Sequence, residues 1–237
     1  MSFRSKRQYP QLEPNKSAFL TMQTIHAVLF EPVGCLAEFP ALEFDQIAAH
    51  VFERTFVNSS GSGGYWQVVG LIKNEGGKLS SPNKEIAEKL ELQAVNQVEL
   101  YEDVVPALSE LKNMGIQLFI ASSLSGAAIH CFLEKFALQN LFSGVWNRDN
   151  AGGVEAVPLA KAMESASLRP EYVISLVDTI ESLQIARELG TNSILMINDY
   201  EQGRRVALYS PTGGIVSLRE LPDAIRLAAE SAKLPPR

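Results

Sequence analysis

Ala27-Val28-Leu29-Phe30-Glu31-Pro32-Val33-Gly34-Cys35-Leu36 is the stretch on which the reading of this chain turns. An apolar run leads straight into an acid, a proline and then a glycine. From Thr24 to Phe30 the residues are mostly apolar and rich in β-branched side chains. That pattern predicts a short strand buried on both faces, as in a parallel sheet covered by helices. Pro32 stiffens the backbone directly after Glu31. In open sheets of this kind ligands bind beyond the carboxyl ends of the strands, so Glu31 stands at a candidate site.

The rest of the chain supplies the alternation such a sheet needs. Helical spacing of Phe44, Ile47, Ala48, Val51 and Phe52 predicts a helix from about Leu42 to Phe56. Asn58 to Gly64 is a Gly/Ser-rich loop. Tyr65 to Lys73 is ambiguous in type, with helix preferred, and a further helix starts at Ser81 or Asn83 and runs through Glu91. The aromatic pair Tyr65 and Trp66 reads as ordinary packing, with a contact across to the main body as the alternative. Asp103 to Met114 is amphipathic and stops at Gly115. Strands are predicted at Ile116–Ala121, Tyr172–Val177 and Ser193–Ile197. Helices are predicted at Gly126–Phe136, Val157–Ala166, Ile180–Leu189 and Leu221–Ala232. The fold class is therefore α/β, a doubly wound parallel sheet, with a small helical cap inserted after the first strand.

Composition narrows the function classes. The chain has 237 residues, 46% of them hydrophobic, enough for a sizeable core. A net charge of -6 and a pI near 5.2 argue against nucleic acid and anionic membranes as partners. No apolar run reaches the ~18 residues of a membrane span. Cys35 and Cys131 make neither a disulfide framework nor a zinc site, and His26, His50 and His130 lack metal-ligand spacing. A reducing, cytoplasmic setting is the expectation. Residues 1–21, with Arg4, Lys6, Arg7, Lys16 and two prolines, read as an N-terminal extension without a signal-peptide core.

The Glu31 segment resembles the first motif of the haloacid dehalogenase-like hydrolases, Asp-x-Asp-Gly-Thr-Leu after a buried strand. The resemblance covers nearly the whole chain from Met22. It implies a Rossmann-like core at 22–37 and 101–237 and a helical cap at 38–100. It aligns Glu31 with the nucleophile, Val33 with the acid/base and Cys35 with the threonine. Ile116-Gln117-Leu118-Phe119-Ile120-Ala121-Ser122-Ser123 resembles the second motif, in which a strand-end hydroxyl holds a phosphate oxygen. Ser122, Ser123 and Gly34 are the ligand-binding residues it implies. The third motif usually brings a lysine, but 150–158 has none; Lys161 reads as a solvated helix residue, and Arg148 sits out of position. Val173-Ile174-Ser175-Leu176-Val177-Asp178 resembles the fourth motif, so Asp178 is either a Mg²⁺ ligand together with Glu31 or the cap of the next helix.

These departures weigh on the chemistry. Glu31 carries its carboxylate one methylene further out, and a reacting group misplaced by ~1 Å can lose ~10²-fold. Val33 can neither give nor take a proton, a loss of ~10²–10⁴-fold. Without the lysine there is no fixed positive charge where transition-state charge gathers. Cys35 has no histidine near it in sequence and reads as a buried, inert thiol. The expectation is a pseudoenzyme with lost or strongly reduced phosphatase activity, binding a small phosphorylated molecule or a protein partner, a second copy of itself included. The alternative is a Mg²⁺-dependent phosphoric-ester hydrolase with Glu31 replacing the aspartate. A weaker third reading is a structural subunit whose basic leading segment docks on a partner.

Overall fold

The computed structural model describes residues 24–56 and 62–231. The N-terminal extension and residues 57–61 of the Gly/Ser-rich loop lie outside the described residues. Strand β1 is Ala27–Phe30, shorter than the apolar run that predicts it. Its partners are β4 (Gln117–Ala121) on one side and β6 (Val173–Val177) on the other, both parallel. Strands β5 (Gly144–Trp146), β7 (Asn192–Met196) and β8 (Gly213–Ile215) complete a parallel sheet of order β5-β4-β1-β6-β7-β8. The chain winds outward from β1 in one direction, then returns to β6 and winds outward in the other. The carboxyl ends of β1 and β6 therefore form the switch point where such sheets open a ligand crevice.

Both faces of the sheet are covered, as the unalternated apolar strand predicts. Successive side chains of a strand point to opposite faces. Ala27 and Leu29 pack with Phe119, Ala162, Met163 and Val173. Val28 and Phe30 pack with Leu118, Ile120 and the helices of the other face. Those helices include α4 (Val104–Asn113), α5 (Gly126–Lys135) and α10 (Glu220–Ser231); α7 (Ala156–Ser165) lies on the first face. A short helix α6 (Arg148–Ala151) and two more, α8 (Ile180–Glu188) and α9 (Tyr200–Ala207), fill the connections. Ser125 caps α5 by accepting from Ala128 N–H, and Thr179 caps α8 in a reciprocal box with Ser182.

Among the described residues between β1 and α4 lie three α-helices and a two-stranded ribbon. The ribbon pairs β2 (Ala37–Glu38) with β3 (Glu99–Leu100) in antiparallel register. The helices are α1 (Ala41–Phe52), α2 (Gly63–Asn74) and α3 (Ser81–Gln97). In α2 the buried Tyr65, Val68, Val69 and Ile72 recur at helical spacing, which resolves the ambiguity of this segment. Helix α3 runs past Glu91 to Gln97, longer than its sequence pattern suggests, and its end is held from the core. Lys135 Nζ donates to the carbonyls of Val95, Asn96 and Val98 at 2.8, 2.9 and 2.7 Å. The cap's apolar side chains join those of the core in one cluster, with Phe39 stacked on Phe132 at 5.8 Å.

Candidate functional site

Three strand ends meet at the switch point: Glu31 after β1, Ser122 after β4 and Asp178 after β6. All three are buried, at 8%, 0% and 5% exposure. From the cap side, the beginning of α2 reaches down into them. Tyr65 donates its hydroxyl to Glu31 Oε2. The same phenol oxygen accepts Ser123 N–H at 2.9 Å and lies 3.4 Å from Ser122 Oγ. Ser122 donates to Glu31 Oε1 at 2.6 Å. Weaker backbone contacts from Val33 and Ser123, each at 3.4 Å, complete the shell of the carboxyl. A few residues earlier in the chain, Ser62 donates to Asp178 Oδ2. Each acid is thus held by a hydroxyl delivered from the cap.

The electrostatics follow from this enclosure. Burial raises Glu31 to about 8, although Ser122, Tyr65 and the backbone N–H groups pull the other way. The enclosure thus works against the charged form of Glu31. Burial and then the neighbouring Glu31 push the Tyr65 phenol upward, so it stays a hydroxyl. Burial likewise raises Asp178 to about 6, against the pull of Ser62. The Trp66 indole also pulls Asp178 downward, although its buried Nε1 and Asp178 Oδ1 do not reach regular hydrogen-bond geometry. A cavity of about 20 Å³, room for one water, lies behind Glu31 and is lined by Trp66, Glu155, Ser175 and Ser182.

Gly34 is placed differently from the expected ligand cradle. Its φ is +79°, and a Cβ built there would fall 1.9 Å from Asp178 Oδ2 and 3.1 Å from Ser62 Cβ. The absence of a side chain is what lets Asp178 and Ser62 meet. Gly34 O also accepts from Asn198 Nδ2. Val33 is fully buried in the main apolar cluster, so its side chain serves the core. Cys35 is buried too, with Sγ 3.5 Å from Leu176 O. Ser123 turns its hydroxyl away to accept Glu155 N–H at 2.8 Å. The reading of Asp178 as a helix cap is corrected: Thr179 is the cap of α8.

A buried positive charge beside the pocket, Arg148, is already paired. Arg148 is 6% exposed and makes a two-point pair with Glu91 of α3, at 2.7 and 3.1 Å. Burial disfavours its charge, but Glu91 more than restores it. Arg148 also donates to Ser123 O at 3.1 Å, and Glu91 accepts Ser125 N–H at 3.0 Å. Lys161 pairs with Glu164 on the surface. Two exposed pairs, Lys73–Glu155 and Lys84–Asp149, also join cap to core.

The donor set does not fit a Mg²⁺ ion in this arrangement. Both oxygens of Glu31 are engaged by the hydroxyls of Tyr65 and Ser122, and Ser62 takes Asp178 Oδ2. Among the described residues no group of three or more acidic, His or Cys side chains could hold a metal. Mg²⁺ is a hard cation that takes several oxygen ligands in near-octahedral geometry.

Sequence reasoning brought Glu31, Ser122 and Asp178 to one sheet edge. It missed the roles of Ser62, Tyr65, Glu91 and Arg148. The signal was the Gly61–Gly64 loop with the Tyr65–Trp66 pair, read as packing or as a contact with the core, and the structure combines both readings at Tyr65. The Tyr65 ring packs on Phe44 and Trp66 at 5.4 and 5.2 Å, while its hydroxyl enters the pocket.

Comparison with known proteins agrees with this architecture. The family model for haloacid dehalogenase-like hydrolases matches residues 46–196. That span begins beyond Glu31 and includes Ser122 and Asp178. Enolase-phosphatase E1 of Citrobacter koseri is 28% identical over 107 residues, covering 44% of this chain and 47% of the relative. Its Danio rerio counterpart is 27% identical over 103 residues, covering 42% and 39%. The chain thus matches under half the length of these curated relatives. Among solved structures, a predicted phosphoglycolate phosphatase from Haemophilus somnus superposes with a TM-score of 0.63 at 16% identity, over 85% of this chain and 98% of that one. The L-2-haloacid dehalogenase of Xanthobacter autotrophicus, with chloropropionic acid covalently bound, gives 0.61 at 16%, over 85% and 98%. At such identity these structures speak for the fold.

Proposed function

The chain belongs to the haloacid dehalogenase-like hydrolases, and on that premise we propose that it is a non-catalytic member that works by binding. The observation that carries this reading is the state of Glu31. Its two carboxyl oxygens are taken by the hydroxyls of Tyr65 and Ser122, inside a closed pocket. A nucleophile needs a free oxygen aimed at its target, and both oxygens of this carboxyl are engaged, in surroundings that disfavour its charged form. Val33 offers no proton to a leaving group, and Arg148 is neutralised by Glu91. Magnesium plays no part in this reading.

With the pocket filled from within, the outer surface is the natural means of action. A protein partner, a second copy of the chain included, fits this better than a small phosphorylated molecule, which would have to displace Tyr65. Net negative charge weighs against nucleic acid. Among the described residues no helix is long and apolar enough to cross a membrane. Two free cysteines suit a reducing compartment such as the cytoplasm.

One observation favours the second reading, a Mg²⁺-dependent phosphatase using Glu31. Asp178 Oδ1 is a buried acceptor outside regular hydrogen-bond geometry, the kind of atom a cation would satisfy. A broad phosphate-ester screen with Mg²⁺ decides between the two. The parent protein is expected to be silent, and a Glu31→Asp/Val33→Asp double variant to gain activity. Turnover in the parent that Glu31→Gln abolishes would replace the binding reading with the enzymatic one.

A further inference from the structure

Six large hydrophobic side chains stand exposed among the described residues, and half of them sit on one short stretch. Tyr200, Leu208 and Tyr209, at 39%, 82% and 44% exposure, lie on α9 or just past its end. The helix is seated on the sheet by its other side, through Gly203 and Val206. A Cβ on Gly203 would come 2.7 Å from Ile197 Cγ2, so the seat is close and complete. Leu208, with φ -62° and ψ -21°, continues the helical path. Tyr200, Arg204 and Leu208 therefore recur at every fourth position and form one outward stripe. A single exposed leucine is ordinary; a stripe of such side chains on one helix face marks a contact surface.

The charge around the stripe says what would cover it. Arg204 lies over the Tyr200 ring at 5.7 Å. Arg205 flanks it, exposed and without an ion pair among the described residues. Arg187 donates to the carbonyls of Tyr209 and Ser210 and so adds a third guanidinium at the helix end. The neighbouring acids offset little of this. Asp199 caps the helix by accepting Gln202 N–H at 2.8 Å, and Glu201 stands 3.9 Å from Arg204 with both side chains mostly in solvent. On a chain of net charge -6 the stripe is thus an apolar and basic exception. We propose that this face of α9 docks an acidic amphipathic segment of another protein, whose apolar side chains meet Tyr200 and Leu208 and whose carboxylates meet Arg204 and Arg205. A two-fold pairing of the stripe with a second copy would set the two Arg204 guanidiniums face to face, which argues for a different protein. The inference rests on the binding reading only for the existence of a partner, and it names the surface and the partner's chemistry.

The probe is a fluorescein-labelled, helix-forming peptide with leucine at every fourth position and glutamates flanking it; a control peptide carries lysine at each glutamate. Fluorescence anisotropy follows binding to the full chain. The parent is expected to bind the glutamate peptide at least about tenfold more tightly than the lysine peptide. Arg204→Glu/Arg205→Glu should reverse that preference, and Leu208→Ser should weaken binding at least about fivefold. Leu42→Ser, which changes an exposed leucine of the cap, should leave binding unchanged. All these positions are on the surface, so the variants are expected to fold. No binding of the glutamate peptide, equal affinity for the two peptides, or parent-like binding by Arg204→Glu/Arg205→Glu overturns the proposal. So does a parent that sediments as a dimer and a Leu208→Ser variant that sediments as a monomer, because a second copy then occupies the face. Hydrolysis of p-nitrophenyl phosphate by the parent, measured in parallel, would sink the non-catalytic reading alone, since the stripe lies outside the pocket.

Discussion

Two acids close the carboxyl ends of the central strands, and they are treated oppositely. Glu31 at the end of β1 has both oxygens engaged, by Ser122 and Tyr65. Asp178 at the end of β6 has one oxygen engaged by Ser62 and one outside regular hydrogen-bond geometry, near enough to the Trp66 indole to be pulled downward by it. Both are buried and both are pushed upward, Glu31 to about 8 and Asp178 to about 6. The difference teaches that Glu31 has become part of the packing between cap and core, whereas Asp178 is held less completely.

The comparison can be strained hardest from outside, at the pair that sets the cap over both acids. Arg148→Ala or Glu91→Ala leaves one buried charge alone and should cost about 3–5 kcal/mol in urea unfolding. Joint replacement by Met and Leu should recover much of that loss. Next comes Gly34→Ala, which drives a Cβ to 1.9 Å from Asp178 Oδ2 at a φ of +79°. A destabilisation of about 2–3 kcal/mol is expected, from strain and from displacing Asp178. The same substitution in an Asp178→Ala background should cost less, and a double-mutant cycle measures the coupling.

Proton linkage sharpens the contrast further. Folded Glu31 holds its proton up to about 8, whereas the unfolded chain releases it near 4.5. The folded state thus binds more protons between those values, and stability is lost as pH rises through that window. The steepest contribution from one such group is about 1.4 kcal/mol per pH unit. Glu31→Gln should flatten the profile from pH 6 to 8, read by denaturant midpoints. Asp178→Asn should have the smaller effect on the pH profile, because its window is narrower than that of Glu31. It should flatten the profile only between 3.8 and about 6, the window of its own shift.

Strand-end positions were legible in the sequence because doubly buried strands carry an unbroken apolar signal. Ala27–Phe30, Gln117–Ala121 and Val173–Val177 are such runs, and each delivers one pocket residue. The short strands Gly144–Trp146 and Gly213–Ile215 were not read, since three residues are too few to show a period. Helix α9 escaped as well: its Tyr200–Ala207 stretch buries only Gly203 and Val206. The pocket's filling was hidden for a different reason. Tyr65 falls at an apolar position of an amphipathic helix and packs there, so its ring explains its presence. Only three-dimensional closure brings its hydroxyl to Ser123. Arg148 likewise looks misplaced beside the family's lysine until Glu91 appears opposite it.

The apolar cluster that runs from Phe44 and Ile72 through Phe132 to Phe30 has a consequence for how the molecule comes apart. Two lobes with separate interiors melt in two steps, the weaker first, and exchange their amide hydrogens at separate rates. A shared interior removes that seam. Opening the cap as a body would expose core side chains along with its own, so the slowest amides of α3 and β1 should exchange together, through one cooperative event. What began as the shape of a lid then behaves, thermodynamically, as a wall.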